Sequence, residues 1–327
     1  MDYHVHYHSD SQAEMLQLLR SSLRAGIDLT AGTEIPNPAT NRVLINGRPT
    51  RQQLEASPLL DSLIIPYAGV PEETRALLIE YPGVKVYNLH HNAAPTAEMA
   101  IALLMASAKF LLPFDRTFRH HDWRPSYQPD PAVLMGGKTA LILGFGQIGQ
   151  RVGLVCQALG MEVIAMRRHP EAPQLAGLQA QVISPEELDR VLPRAQVLIV
   201  TLPGTERTEG MIGSRQLAQM PPGGILVNVG RGQIVEQGAL YQALRNGTLA
   251  AAGLDVWYNY PQSPEERGDK PPADYPFHEL ANVILSPHRG GGSREIEVLR
   301  MQHLAELINA LKTNSPTQNL VDLAAGY

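Results

Sequence analysis

The segment Leu141-Ile142-Leu143-Gly144-Phe145-Gly146-Gln147-Ile148-Gly149 runs an apolar strand directly into a G-x-G-x-x-G turn. A helical pattern follows at once, with Ile148, Val152, Val155, Cys156 and Leu159 spaced to share one face. A lone glycine triplet says little, but strand, glycines and amphipathic helix together describe a dinucleotide-binding βα turn. The first glycine makes the bend, the second lets backbone approach a pyrophosphate, and the third seats the helix close to the strand. The helix N-terminus then offers N–H groups and a positive dipole end to the anion. Gly144, Phe145, Gly146, Gln147, Ile148 and Gly149 are therefore the expected cofactor cradle. The 143 residues ahead of them are enough for another folded unit.

A chain of 327 residues exceeds one small core, so two domains are expected. At 44% hydrophobic and 18% charged it has the balance of a soluble globular protein. The net charge is −5 and no basic block exceeds two residues, which argues against nucleic acid or an anionic membrane as partner. Met1-Asp2-Tyr3-His4-Val5-His6-Tyr7-His8 lacks the layout of a signal peptide. Its alternating histidines read as one face of a first strand, not as metal ligands, because no Cys or carboxylate stands at ligand spacing. The most apolar stretch, Met99 to Leu112, contains Lys109 and is too short to span a bilayer, so it reads as a buried helix. The single cysteine, Cys156, falls on the apolar helix face and implies a core residue in a reducing compartment. The expected location is cytoplasmic, and no metal site is expected.

Strand-like and helix-like runs alternate over the first ~95 residues, as in a small α/β unit. The strand candidates are Tyr3–His8, Leu44–Ile45, Leu63–Pro66 and Val84–Asn88; Ala13–Arg24 and Pro71–Glu80 are helical. Thr96–Phe114 reads as one long helix leading into the second unit, and Asp122–Gly137 as a loop or arm. Strands are then expected at Thr139–Leu143, Glu162–Met166, Gln181–Ile183, Gln196–Leu202, Gly224–Val229, Ala250–Val256 and Asn282–Ser286. Helical segments lie between them, including the capping box Ser184-Pro185-Glu186-Glu187 and the run Gln237–Arg245, closed by Asn246-Gly247. This alternation predicts an α/β protein with two Rossmann-like domains. The cofactor domain, 96–290, is a doubly wound parallel sheet. The smaller, flavodoxin-like domain is discontinuous, 1–95 and 291–327, completed by a last helix over Arg294–Lys312.

Three further segments fall at the carboxyl ends of predicted strands, where open α/β sheets bind ligands: Asn228-Val229-Gly230-Arg231-Gly232, Gly253-Leu254-Asp255-Val256-Trp257 and Ser286-Pro287-His288-Arg289-Gly290-Gly291. This ordered set resembles the D-isomer-specific 2-hydroxyacid dehydrogenase family. Asn88 with Thr96-Ala97-Glu98, Leu202-Pro203 with Thr208-Glu209-Gly210, and the Val-Asn-Val-Gly-Arg-Gly stretch carry the resemblance, and Pro66-Tyr67-Ala68-Gly69-Val70 resembles the family's substrate loop.

The resemblance implies hydride exchange between a nicotinamide and a small 2-oxo or 2-hydroxy acid. Arg231 suits a substrate carboxylate because its planar fork stays charged; otherwise it caps a strand end with a surface ion pair. Gly230 and Gly232 beside it would permit close ligand approach. His288 is the implied acid/base, in keeping with a histidine that titrates near neutrality. Asp255 is implied to stand beside the nicotinamide, though an Asp ending an apolar strand equally caps a turn. The family places Leu202, Pro203, Thr208, Val229, Gly230 and Gly290 around the cofactor as well. It places Ala68, Gly69, Leu89, His90 and Asn92 around the substrate.

The chain departs from the family at one position. Five residues after Asp255 the family carries a Glu that hydrogen-bonds the catalytic histidine, and here that position is Tyr260. A phenol can hydrogen-bond an imidazole but supplies no negative charge to an imidazolium. Glu265 and Glu266 lie close in sequence. About 20 residues past the glycines, where NAD-binding sites present an acid, the chain reads Ala165-Met166-Arg167-Arg168-His169. Two guanidinium groups suit a 2′-phosphate, so the expected cofactor is NADP, with NAD as the alternative. The leading expectation is an NADPH-dependent, homodimeric reductase of a glyoxylate- or hydroxypyruvate-like acid. A formate dehydrogenase-like oxidase and a nucleotide-sensing binding protein are the alternatives. The formate branch places a Gln, not a Tyr, at the Glu position.

Overall fold

The computed structural model describes residues 3–317 and 319–324. Met1, Asp2, Gln318 and the last three residues, included in the domain expectation above, lie outside them. The chain divides into two compact units, Met1–Asn92 with Gly292–Tyr327 and Ala93–Gly291.

The first unit opens with β1 (Tyr3–His8), α1 (Ala13–Ser22), β2 (Ile27–Gly32), β3 (Val43–Ile45), α2 (Arg51–Glu55), β4 (Ser62–Ile64), α3 (Glu72–Leu78) and β5 (Lys85–Tyr87). The strands form one parallel sheet in the order β2-β1-β3-β4-β5, with the order reversing between β1 and β3. The sequence reading missed β2. The three histidines of β1 find separate partners: His4 at Asp28 (3.1 Å), buried His6 at Thr30 (2.9 Å) and His8 at Gln53 (3.2 Å). The opposite face, Val5 and Tyr7, joins the core formed with Leu19, Val43, Ile45 and Ile64.

The second unit begins with α4 (Ala93–Ala108) and α5 (Leu111–Phe118), bent by 64° where a single helix over Thr96–Phe114 was expected. The break follows from Pro113. Inside one helix its ring would clash with the carbonyl four residues earlier, whereas in the first turn of α5 it is tolerated. Phe110 absorbs the turn with φ +49°. Among the described residues no single helix is long and apolar enough to cross a membrane.

There follow β6 (Thr139–Leu143), α6 (Gln147–Ala158), β7 (Glu162–Met166), β8 (Gln181–Ile183), α7 (Leu188–Val191), β9 (Val197–Val200), α8 (Ser214–Gln219), β10 (Gly224–Asn228), α9 (Gln237–Arg245), β11 (Leu249–Leu254) and β12 (Val283–Leu285). They build a parallel sheet in the order β12-β11-β10-β9-β6-β7-β8. Apolar cores lie on both faces, which is why the central strands read as continuous apolar runs. The chain then returns to the first unit with α10 (Ile296–Lys312), which packs on α1 and seals the core through Met301, Leu304 and Ile308.

Candidate active site

The glycine turn sits at the switch point of the second sheet, between β6 and β9. Gly144 has φ +97°, and a Cβ on it would come within 2.9 Å of the Leu202 nitrogen. A Cβ on Gly149 would strike the Gly144 carbonyl oxygen at 2.0 Å. Gly146 differs: its Cβ position opens on empty space. The first and third glycines thus close the turn against protein, and the second leaves room for a ligand against backbone. By helix geometry the first N–H groups of α6 have no intrahelical acceptor, so the residues present fit a pyrophosphate.

Within α6 the buried stripe is Gly149, Val152, Gly153 and Cys156. Val155, expected on that face, is 39% exposed, because the close-packed glycines rotate it outward. Burial pushes the Cys156 thiol up to about 12. The Phe145 and Val229 side chains, at positions assigned to the cofactor, lie in the core beneath the turn, so only their backbone can face a ligand. Gln147 turns its side chain to Arg151 (2.9 Å). Thr208 is buried in its own loop, donating to the Pro203 carbonyl (2.8 Å) while it accepts from the Thr205 N–H (2.9 Å). It shapes the Leu202–Pro203 segment from within.

The two arginines after β7 part company. Arg167 lies 5.6 Å over the Phe145 ring and donates to the carbonyls of Pro170, Ala172 and Pro173. Its guanidinium holds its own loop, contrary to the expectation of a phosphate-binding pair. Arg168 is exposed.

Arg231 follows β10. Buried Asn228 organises this loop, its Nδ2 donating to the Arg231 carbonyl and its Oδ1 accepting from the Gly230 N–H, both at 3.0 Å. The guanidinium donates to the Gly230 carbonyl (2.7 Å), and no carboxylate pairs with it among the described residues. The flanking glycines are required by packing. A Cβ at Gly230 would meet the Leu202 carbonyl at 2.6 Å, and one at Gly232 the Trp257 carbonyl at 2.2 Å.

His288 lies in a left-handed conformation, φ +56°, on the exposed loop after β12. Asp255, 1% exposed, grips that loop from the end of β11. Its Oδ1 accepts from Ser286 Oγ and the Arg289 N–H (2.7 Å), and its Oδ2 from the Gly290 N–H (2.8 Å). Trp257 Nε1 adds a donor to the Ser286 carbonyl (2.8 Å). Asp255 thus holds the loop after β12, the strand beside its own.

The rings of Tyr260 and His288 are 5.5 Å apart. The Tyr260 hydroxyl accepts from the Trp257 N–H (3.1 Å), and burial raises its phenol above the ordinary value. Partial burial and then the Arg231 charge lower the His288 pKa, with Asp255 pulling the other way. Glu266 is engaged by Lys270 (3.1 Å) and the Gln262 N–H (3.1 Å), and Glu265 by Ser263. Arg231, Tyr260, Asp255 and His288 therefore form one cluster at the carboxyl edge of the second sheet.

In the first unit, Ala68 and Gly69 lie on the half-buried loop after β4, with the Ala68 carbonyl accepting from Asn88 Nδ2 (2.8 Å). Leu89 is 1% exposed within the core, so its side chain cannot line a ligand site as expected. His90 and Asn92 are half-buried.

The family model for the D-isomer specific 2-hydroxyacid dehydrogenase NAD binding domain matches residues 101–290. The chain belongs to this family. Among its relatives, a D-3-phosphoglycerate dehydrogenase of Archaeoglobus fulgidus is 34% identical over 71% of the chain and 41% of its own length. A glyoxylate reductase of Aeropyrum pernix is 35% identical over 69% and 66%. The chain thus spans less than two thirds of these curated relatives. A D-isomer specific 2-hydroxyacid dehydrogenase of Xanthobacter autotrophicus, solved with NADPH and MES, superposes with a TM-score of 0.79 over 100% of both chains at 24% identity. An NADPH-dependent glyoxylate/hydroxypyruvate reductase of Sinorhizobium meliloti, solved with NADP and sulfate, gives 0.75 over 100% of both chains at 21%. These likenesses establish the two-domain fold.

Three positioning residues of the chain escaped the sequence reading. Thr201 donates to the Gly144 carbonyl (2.6 Å), and Asn228 and Ser286 hold the Arg231 and His288 loops. Each is polar at the end of an apolar strand, which is the signal that marks them.

Proposed function

We propose that this dehydrogenase is an NADP-preferring reductase of small 2-oxo acids of the glyoxylate or hydroxypyruvate type. The observation that carries the reading is the cluster of a carboxylate-free Arg231 and a loop-held His288. A bound nicotinamide dinucleotide would supply the hydride. The backbone of Gly144–Gly149 would hold its pyrophosphate, Arg168 its 2′-phosphate, and Leu202, Pro203 and Gly290 would flank it. Arg231 grips the substrate carboxylate and polarises the adjacent carbonyl. The His288 imidazolium gives that carbonyl oxygen its proton, leaving a 2-hydroxy acid. In the first unit the reading assigns Ala68, Gly69, His90 and Asn92 to the substrate. Arg168, with no acid at the end of β7, supports NADP over NAD.

We further propose a cytoplasmic homodimer. Phe118 and Trp123 stack edge to face at 4.7 Å while both stay more than half exposed, and Tyr127 and Leu134 on the same arm are more exposed still. A second copy of the chain would cover these exposed apolar side chains. A panel of 2-oxo acids followed by nicotinamide absorbance with NADPH and NADH, beside light scattering, tests the reading. Formate oxidation, or cofactor binding without turnover of any acid, would replace it.

A further inference from the structure

We propose that Asp255 is the positioning residue of His288, fixing the imidazole through its loop and supplying the negative charge that Tyr260 cannot. This deepens the reductase reading and rests on it. His288 has φ +56°, a backbone region that costs a non-glycine residue of order 1 kcal/mol and persists only when its surroundings enforce it. Asp255 does the enforcing on both sides of the ring. It accepts from Ser286, two residues before His288, and from the N–H groups of Arg289 and Gly290, the next two. The fit is close: a Cβ on Gly290 would lie 2.6 Å from Asp255 Oδ2. The donors are two backbone N–H groups and a hydroxyl, all neutral, and among the described residues no cation forms an ion pair with the carboxylate.

Within the second unit the groups facing His288 are Arg231, Tyr260 and Asp255, with Arg289 beside it on the loop. Arg231 disfavours the imidazolium and neutral Tyr260 is indifferent to it. Asp255 alone favours it, without touching the ring.

The test is a histidine-selective NMR titration of the full chain, the His288 signal assigned with His288→Gln, beside kcat and NADPH affinity. Asp255→Asn should lower the His288 pKa by about one unit. It should also reduce kcat roughly tenfold or more through loss of loop geometry, with NADPH affinity almost unchanged. Ser286→Ala keeps the charge and removes one anchor, so kcat should fall while the His288 pKa holds. An unchanged pKa in Asp255→Asn would overturn the proposal. So would weakened NADPH binding with no pKa change, which would make Asp255 a cofactor contact. If Asp255→Asn does not fold, Asp255→Glu decides: retained pKa with low kcat supports the proposal, and a pKa drop despite the retained charge defeats it. The titration needs no turnover, so an inactive native chain would overturn the reductase reading while still reporting on Asp255 and His288.

Discussion

The ring of Tyr260 stands against the imidazole of His288, centroids 5.5 Å apart and planes tilted by 57°, while its hydroxyl faces the Trp257 N–H. Tyr260 therefore restrains the imidazole by packing and gives it neither a hydrogen bond nor a charge.

That relationship sets the pH dependence. Burial and Arg231 hold the His288 pKa below the ordinary 6.5. Reduction consumes the imidazolium, whose fraction falls as pH rises through that lowered value. Reduction should thus already decline below neutrality, and oxidation, which needs the neutral ring, should plateau there. Tyr260→Glu should move both transitions to higher pH. Rate profiles between pH 5 and 9 check this, and a native reduction rate flat to pH 8 would contradict it.

Arg231→Lys keeps a charge but loses the planar fork. We expect kcat/KM to fall about 100-fold, with NADPH affinity intact. Retention of most activity would return Arg231 to a structural role.

The two arginines after β7 should separate experimentally. Arg168→Gln should raise the NADPH KM about tenfold and leave NADH unaffected, the loss of one charge-assisted contact. Arg167→Gln strips the Pro170–Pro173 loop of its donor and should mainly lower the melting temperature. Equal effects of Arg168→Gln on both cofactors would remove the NADP assignment.

His91, 4% exposed, carries a different pH signature. Burial, then the charge of Arg300 and its histidine neighbours, lowers its pKa to about 4. The folded chain keeps the ring neutral while the unfolded chain protonates it near 6.5. Stability is therefore full above pH 6.5 and lost as pH falls towards 4. His91→Gln should flatten the acid side of a melting-temperature profile, and an unchanged slope would count against the assignment.

The second sheet was legible because its strands are buried on both faces and read as unbroken apolar runs. The edge strand β2 was not: Ile27-Asp28-Leu29-Thr30-Ala31-Gly32 does alternate apolar and polar residues, but the run is short, only partly buried and bounded by Gly26 and Gly32. The bend before α5 hides for another reason, since apolar periodicity continues through Lys109-Phe110 and only Pro113 announces the break. In the candidate site, the motifs located Arg231, Asp255 and His288 at strand ends. What they could not convey is which way a long side chain turns. Arg167 and Arg168 are identical in sequence terms, yet Arg167 reaches carbonyls three to six residues on. The glycines beside Arg231 likewise looked like ligand clearance, whereas their neighbours are the carbonyls of Leu202 and Trp257.

The path of the chain also orders its own synthesis. Asn309 on α10 joins the Arg24 N–H and the Ser22 carbonyl at the end of α1, and Leu320 bridges to Tyr87. About two hundred residues of the second unit separate these partners along the chain. On a ribosome the dinucleotide unit emerges whole and can close first, whereas the unit begun before it must wait for α10 to cover its core. A nascent chain stalled before residue 296 would hence present Leu19, Val5 and Ile45 uncovered, a window for chaperones that the finished fold removes.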